Sequence, residues 1–342
     1  MRATEYRFQQ NPEGVVDASM SVIEQALTEL EKLGDNKTLV AVWDQLNGIR
    51  YYRGDLVGAR SAADRMLEHA QLAGDEGHEL QALVIRSSLS VFDATPLGQA
   101  LAEADALVDR ARSTGRMLPM AQALGIKGRL LGMRGETEEA KGLVDAGRAI
   151  LRDLGRVAHA AGASHWASMV TSFAGDPRAT EENLREGAEE LERLGEKAML
   201  SSSLGHLGTA IAQQGRYDEA LAESRRAESI AASDDIDAQV QWRVARALAL
   251  AGLGDVEAAG KLAREALEMA DGHGYPIDRA HARLSLASVY ARAFGAPDAA
   301  VLLDEARRSY EHKGALAALR LVDAQLAALS DQGVGEDVTA GA

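Results

Sequence analysis

The chain has 342 residues, no cysteine and a net charge of −15. These values exclude a disulfide-stapled fold or a thiolate metal site, and they argue against nonspecific attachment to nucleic acid or to an anionic membrane. No run of eighteen apolar residues occurs and Met1 to Asn11 has no apolar signal core, so a soluble, cytoplasmic protein is expected.

In chain order, residues 1–13 read as an N-terminal extension. Residues 14–33 follow as an amphipathic helix with Met20, Ile23, Leu27 and Leu30 on one stripe. Glycine then punctuates the chain. One comb runs through Gly34, Gly74, Gly115, Gly155, Gly195, a polar break at Asp234, Gly274 and Gly314, at spacings of 39 to 41 residues. A second comb lies between its teeth at Gly54, a turn around Thr95 and Pro96, then Gly135, Gly175, Gly215, Gly254 and Gly295. Two helices per period is the simplest reading. First helices are predicted at 36–52, 77–92, 117–133, 157–173, 196–213, 236–252 and 277–293, and second helices at 56–73, 98–113, 136–153, 178–194, 217–232, 255–270 and 298–312. All six prolines fall at or just before a helix start, where the missing N–H costs nothing.

The chain thus predicts an all-α solenoid over 14–329, since units of this period bury their apolar faces only by stacking on their neighbours. Residues 315–329 (ALAALRLVDAQLAAL) form a first helix with no second, mirroring the orphan helix at the start. An uncapped apolar end implies a partner, a homodimer contact through 315–329 or a missing segment. The acidic, Gly-rich stretch 330–342 reads as a disordered tail.

One unit identifies the repeat type. Leu207, Gly208, Ile211, Gly215, Tyr217, Glu219, Ala220 and Ala227 fall at the spacings of a tetratricopeptide repeat. Small residues twelve apart let two helices cross closely: Gly208 with Ala220, Gly128 with Ala140, Ala247 with Ala259 and Ala287 with Ala299. Asn47 with Ala59 and Ser168 with Thr180 are poorer copies. The chain therefore resembles the tetratricopeptide-repeat family over residues 36–312, and the resemblance implies a right-handed superhelix whose first helices line a concave groove. The stretch from Ala238 to Leu329 is also similar to the C-terminal repeats of bacterial multidomain signalling ATPases, cyclase-linked or like the maltose regulator. No ATPase module accompanies it, because Gly125-Ile126-Lys127-Gly128 lacks the pattern of a phosphate-binding loop.

Charge is unevenly shared between the two helix sets. First helices, with 315–329 included, hold twelve basic residues against six acids, while the whole chain is strongly acidic. A groove less acidic than the outer surface is one reading; outer helices that are merely solvated and charge-laced is the other. The repeat register turns Tyr51, Tyr52, Arg129, Met133, His165, Met169, Phe173, Gln213, His281 and Arg292 inward as ligand or peptide contacts, with Thr209 and Ser288 beside them. Gly48, Gly125, Gly132 and Gly205 fall on the same face, either admitting a ligand backbone closely or allowing tight helix stacking. Trp43, Trp166 and Trp242 read as packing residues.

Catalytic patterns are absent. His159 and His165 are six apart, not the three or four that share a helix face for metal binding, and exposed carboxylate pairs on a helix have no raised pKa. No cofactor, metal or enzyme activity is expected. The sequence points to a binding or scaffold module for a protein or an extended, acidic peptide, with no nucleic acid or membrane partner. The second reading is a regulatory region that senses a small-molecule effector.

Overall fold

The computed structural model describes residues 14–339 other than 274, so the expected extension 1–13 and the Gly274 mark lie outside the described residues. The helices are α1 (Val15–Leu33), α2 (Asn36–Tyr52), α3 (Leu56–Leu72), α4 (Glu76–Leu89), α5 (Leu97–Ser113), α6 (Met117–Arg134), α7 (Thr137–Asp153), α8 (Val157–Gly162), α9 (Ser164–Phe173), α10 (Pro177–Leu194), α11 (Lys197–Gln213), α12 (Tyr217–Ile230), α13 (Ile236–Leu253), α14 (Val256–Asp271), α15 (Pro276–Phe294), α16 (Ala296–Lys313) and α17 (Leu316–Thr339). No strand occurs among the described residues. Seven hairpins, α2–α3 through α15–α16, stack in chain order between α1 and α17.

The glycine marks work as helix stops. Every described comb glycine, with Gly14 before α1, has a positive φ between 64° and 101°, the left-handed conformation that closes a helix and that side chains disfavour. The small pairs act as expected. A Cβ at Gly208 would stand 3.3 Å from the Ala220 carbonyl oxygen, and one at Gly128 would stand 2.9 Å from that of Ala140. The poorer copy Asn47 adapts differently: its side-chain amide donates to the Ala59 carbonyl at 2.8 Å.

Three expectations change. The predicted helix 157–173 breaks at Ala163 into α8 and α9, between Gly162 and Ser164, residue types that tolerate a kink. The backbone of 330–339 is helical rather than unstructured, because extending a helix already nucleated by packing is easier than starting one. The start of 315–329 is not an open end: Ala315, Ala317, Ala318 and Val322 are at most 1% exposed, within the chain's own core, while Leu316 is 53% exposed and Ala324, Ala327 and Ala328 are exposed.

That burial follows from closure of the solenoid on itself. Residues Ser90 to Pro96, where the second comb lacks its glycine, form a long connection that meets the last unit. The Lys313 ammonium, fully buried, donates to the carbonyls of Ser90 and of Asp93, the latter at 3.1 Å. The Ile277 amide donates to the Phe92 carbonyl at 3.1 Å, and the Tyr275 hydroxyl donates to the Tyr51 carbonyl at 2.9 Å. Gly54 admits His273 so closely that a Cβ there would lie 2.9 Å from the imidazole, and Arg53 stands 3.9 Å from Asp234. Beyond this seam, α17 passes the turns that end α6 and α9, with Arg320 over Gly135 and Leu321 over Gly175.

The uneven charge has a structural outlet. Basic residues of first helices reach acids of second helices: Lys127 to Asp105 at 2.7 Å, Arg246 to Glu228 at 2.7 Å, Arg86 to Asp64 at 3.0 Å, and Arg283 to both Asp271 and Glu305 at 2.6 and 2.7 Å. Most of these pairs join successive hairpins, so the excess of cations on first helices pins the stacking rather than making the groove positive.

Candidate functional site: a two-chamber interior

Closure leaves two partly open chambers in the concave groove. The first chamber, about 280 Å³, is bounded by the first helices of both ends and the middle, α2, α9, α11, α13 and α15. The second, about 430 Å³, lies between the inner helices and α17. Ser172, Gln213 and His281 line both, so the chambers adjoin.

The structure distributes the expected groove residues unevenly. Tyr51, Tyr52, His165, Met169, Phe173, Gln213 and His281 line the first chamber, and Arg292 lines the second, where Nη1 donates to the Ala251 carbonyl at 2.9 Å. Thr209 and Ser288 line one chamber each. Met133 does not face the groove. Gly132 lets α9 approach until its Cβ position is 3.1 Å from Val170, and Met133, 0% exposed, is sealed in the core with Val170 and Val322. Arg129 stands in the wall, 4% exposed, its guanidinium carbon 5.5 Å from the Phe92 ring centre and 5.6 Å from that of Trp166.

Three of the four inward glycines serve stacking. A Cβ at Gly125 would collide with Trp166 at 2.3 Å, and one at Gly205 would lie 2.7 Å from Gln241 Cβ and 3.0 Å from the Trp242 nitrogen. Gly48 has open space around it. All three tryptophans pack: Trp43 against the core, Trp166 on Gly125, and Trp242 between Arg243 and Arg246, whose guanidinium carbons are 4.0 and 4.5 Å from its centre.

Several chamber residues escaped sequence reasoning. Tyr51, Phe92 and Tyr275 form a triangle of edge-on rings with centres 5.7 to 6.3 Å apart. Asp235, Asp237 and Asp278 line the same chamber. Only Asp235 caps its helix, accepting the Ala238 amide at 3.1 Å. His165 and His206 face each other at 4.6 Å, and His206 Nε2 lies 3.8 Å from Asp237. Arg279 lines the same chamber, so side chains of both signs border it.

The electrostatics follow from enclosure. Burial drives the imidazoles of His165 and His281 down to about 3 and 4, with His206 adding to both, so each is neutral at pH 7. Burial also raises Asp278 well above the carboxylate range, helped by the charge of Asp237 and opposed by Arg129. Asp237 goes the other way. Enclosure alone would raise it, but His206 and Ser202 hold it well below its ordinary value. Its side chain keeps 47% of its accessibility because it borders open chamber space while protein surrounds it. Burial lowers Arg129 to about 10, which leaves it a cation. Among the described residues, no group of three or more His, Asp or Glu side chains is arranged to hold a metal ion.

Asp235, 3% exposed, makes a test of this field. Burial, then the negative charge of Asp237, push its carboxyl up to about 7 from an ordinary value of 3.8. The folded chain therefore binds more protons than the unfolded one between about pH 4 and 7, and the stabilisation present below pH 4 is lost as pH rises to 7. Asp235→Asn keeps an N-cap and removes the titration. In thermal melts, the variant should match the wild type near pH 4 and exceed it by a few degrees at pH 8. A difference independent of pH would show that Asp235 is ionised throughout.

No protein-family model matches the chain, and no curated protein matches it. Solved structures do. A Rap protein complexed with Competence and Sporulation Factor superposes with a TM-score of 0.67 at 15% identity, covering 90% of this chain and 81% of that one. A tetratricopeptide repeat protein from Parabacteroides merdae aligns with a TM-score of 0.39 at 14% identity, over 83% of this chain and 99% of that one. Among the described residues, no helix is long and apolar enough to cross a membrane. Helical hairpins, glycine stops, small crossing pairs and the 0.67 superposition together establish the fold as a tetratricopeptide-like helical solenoid.

Proposed function

We propose that this chain is a binding module that takes a short peptide, or an extended segment of a partner protein, into its interior. The observation that carries the reading is the adjacency of the two chambers: a first chamber alone suits a small ligand, whereas two chambers side by side, sharing Ser172, Gln213 and His281, offer the length of surface that an extended chain would cover. The superposition on a Rap protein in complex with a factor supports a binding role for a solenoid of this shape. The similarity of 238–329 to the repeats of bacterial signalling ATPases supports a sensor or scaffold role. The second reading, a small effector held in the first chamber alone, draws on its compact volume and its aromatic lining.

Ser202 lines the first chamber from α11 and is only partly buried, so a large side chain there projects into free space. Affinity selection with mass-spectrometric readout, using a library of pentapeptides and a separate mixture of small metabolites, distinguishes the readings. Wild-type protein should retain a subset of peptides, and Ser202→Trp should lose at least about tenfold of that retention, a cost of about 1.4 kcal/mol, with its circular dichroism unchanged. Retention of metabolites alone would favour the effector reading, and retention of neither would remove the interior as a binding site.

A further inference from the structure

Three successive turns at the first glycine comb depart from the others. Each such turn leads from a second helix into the next first helix, and the residue after the glycine or polar break stands at that helix's N-cap. Asp35, Asp75, Glu196 and Asp235 hold this place in their units, and each accepts a backbone amide of the helix that follows. Tyr275 and Ala315 take it at the closing end and are buried. Before α6 and α8 the place belongs to Arg116 and Arg156, which make no cap hydrogen bond. An arginine there gives up the acceptor for first-turn amides and adds positive charge at the positive end of a helix, so local structure disfavours both residues. Both are exposed and, among the described residues, neither has an ion-pair partner; the same holds for Lys197, next to Glu196.

Large apolar side chains share these turns. Met117, Leu154, Val157 and Leu194 are 48, 44, 42 and 41% exposed. The turns also lie side by side: Leu118 of α6 shares an apolar cluster with Leu151 of α7 and Ala160 of α8, and Leu191 of α10 shares one with Ala161 of α8 and Leu200 of α11. In a chain of net charge −15, segments 112–117, 152–157 and 192–197 hold six cations against three acids, and one of those acids, Glu196, is buried at its cap. None of the exposed apolar residues or unpaired cations of this strip lines either chamber.

We propose that the strip is a docking surface for an acidic, amphipathic segment of a partner protein. Apolar side chains of that segment cover Met117, Leu154, Val157 and Leu194, while its carboxylates reach Arg116, Arg156 and Lys197. Charge complementarity identifies the occupant. A second copy of the strip would bring like charges together, and the acidity of the whole chain opposes an anionic membrane or nucleic acid. Docking here is separate from whatever the interior holds.

The test uses two libraries of synthetic amphipathic helices of about five turns, passed over the full chain. Both draw the apolar face from leucine, isoleucine, methionine and phenylalanine; the polar face is glutamate and glutamine in one, lysine and glutamine in the other. Vesicles of phosphatidylserine and phosphatidylcholine serve as a third probe. The wild type should retain the acidic library at least tenfold more strongly than the basic one, and less so as salt rises. Arg116→Asp combined with Arg156→Asp should lose at least tenfold of that retention while melting no lower than the wild type, because each aspartate restores the acceptor that the other turns have. The comparison of libraries on the wild type holds even if the variant folds poorly. Ser202→Trp, which obstructs the first chamber, should leave the retention unchanged. Equal retention of the two libraries, retention of neither, or acidic retention that survives the double substitution overturns the proposal. Binding of vesicles in place of peptides overturns it too, assigning the strip to a lipid surface. Acidic retention abolished by Ser202→Trp would also overturn it, while supporting the peptide reading of the interior.

Discussion

Lys313→Glu should open the solenoid without unfolding its hairpins. The wild-type ammonium is fully buried and donates to the carbonyls of Ser90 and Asp93, with the Asp93 carboxylate 3.9 Å away. A carboxylate in its place faces two carbonyl oxygens and the Asp93 carboxylate, whose own partner is Arg60. The cost of an uncompensated buried charge is about 3–5 kcal/mol, more than a few hydrogen bonds across the seam contribute at about 1 kcal/mol each. Opening is the least costly escape, because each hairpin is stabilised mainly by its neighbours in the stack. Small-angle scattering should show a larger radius of gyration at unchanged helicity, together with loss of interior binding. Unchanged dimensions with a full drop in stability would mean that the seam and the hairpins are inseparable.

Gly205→Val should act on the stack itself. Gly205 of α11 faces the α13 backbone, with a Cβ position 2.7 Å from Gln241 Cβ and 3.0 Å from the Trp242 nitrogen. A backbone cannot retreat as a flexible side chain does. Valine therefore has to push α11 from α13, and overpacking of this kind costs about 1–3 kcal/mol, against which better helix propensity than glycine returns only a few tenths. The same displacement widens the first chamber where His206 meets Asp237. Urea unfolding should show a midpoint lowered by a matching amount, and peptide retention should fall in parallel. A variant as stable as the wild type would show that the contact relaxes without strain.

Much of the fold was legible because its punctuation is local. A glycine required at positive φ marks a helix end in sequence as plainly as in space, and the hairpin boundaries predicted from the two combs match those seen within three residues. The site was legible only where a single helix sufficed to orient a side chain, as for His165, Met169 and Phe173. What escaped depends on residues brought together over long separations. Tyr275 reaches Tyr51 and Ile277 reaches Phe92 only because the ends meet, and no periodicity within a unit encodes that meeting. Asp237 and Asp278 lie in the first turns of α13 and α15, where the helix dipole alone accounts for an acid. Lys127, Arg246 and Arg283 misled in the opposite sense, since the cations that seemed to favour an anionic ligand are engaged by acids on neighbouring outer helices. Met133 failed for a packing reason: the close approach at Gly132 moves an inward position into the core.

The seam has a consequence for how the molecule comes apart. An open array of hairpins has two free ends, each able to fray, and its stability is a sum over neighbours. Joining the second hairpin to the seventh removes those ends, so no single hairpin between them can detach without first breaking contacts on both sides. Amides from α2 to α16 should therefore share a narrow range of hydrogen-exchange protection. Among the described helices, α1 precedes the seam and is free to melt by itself.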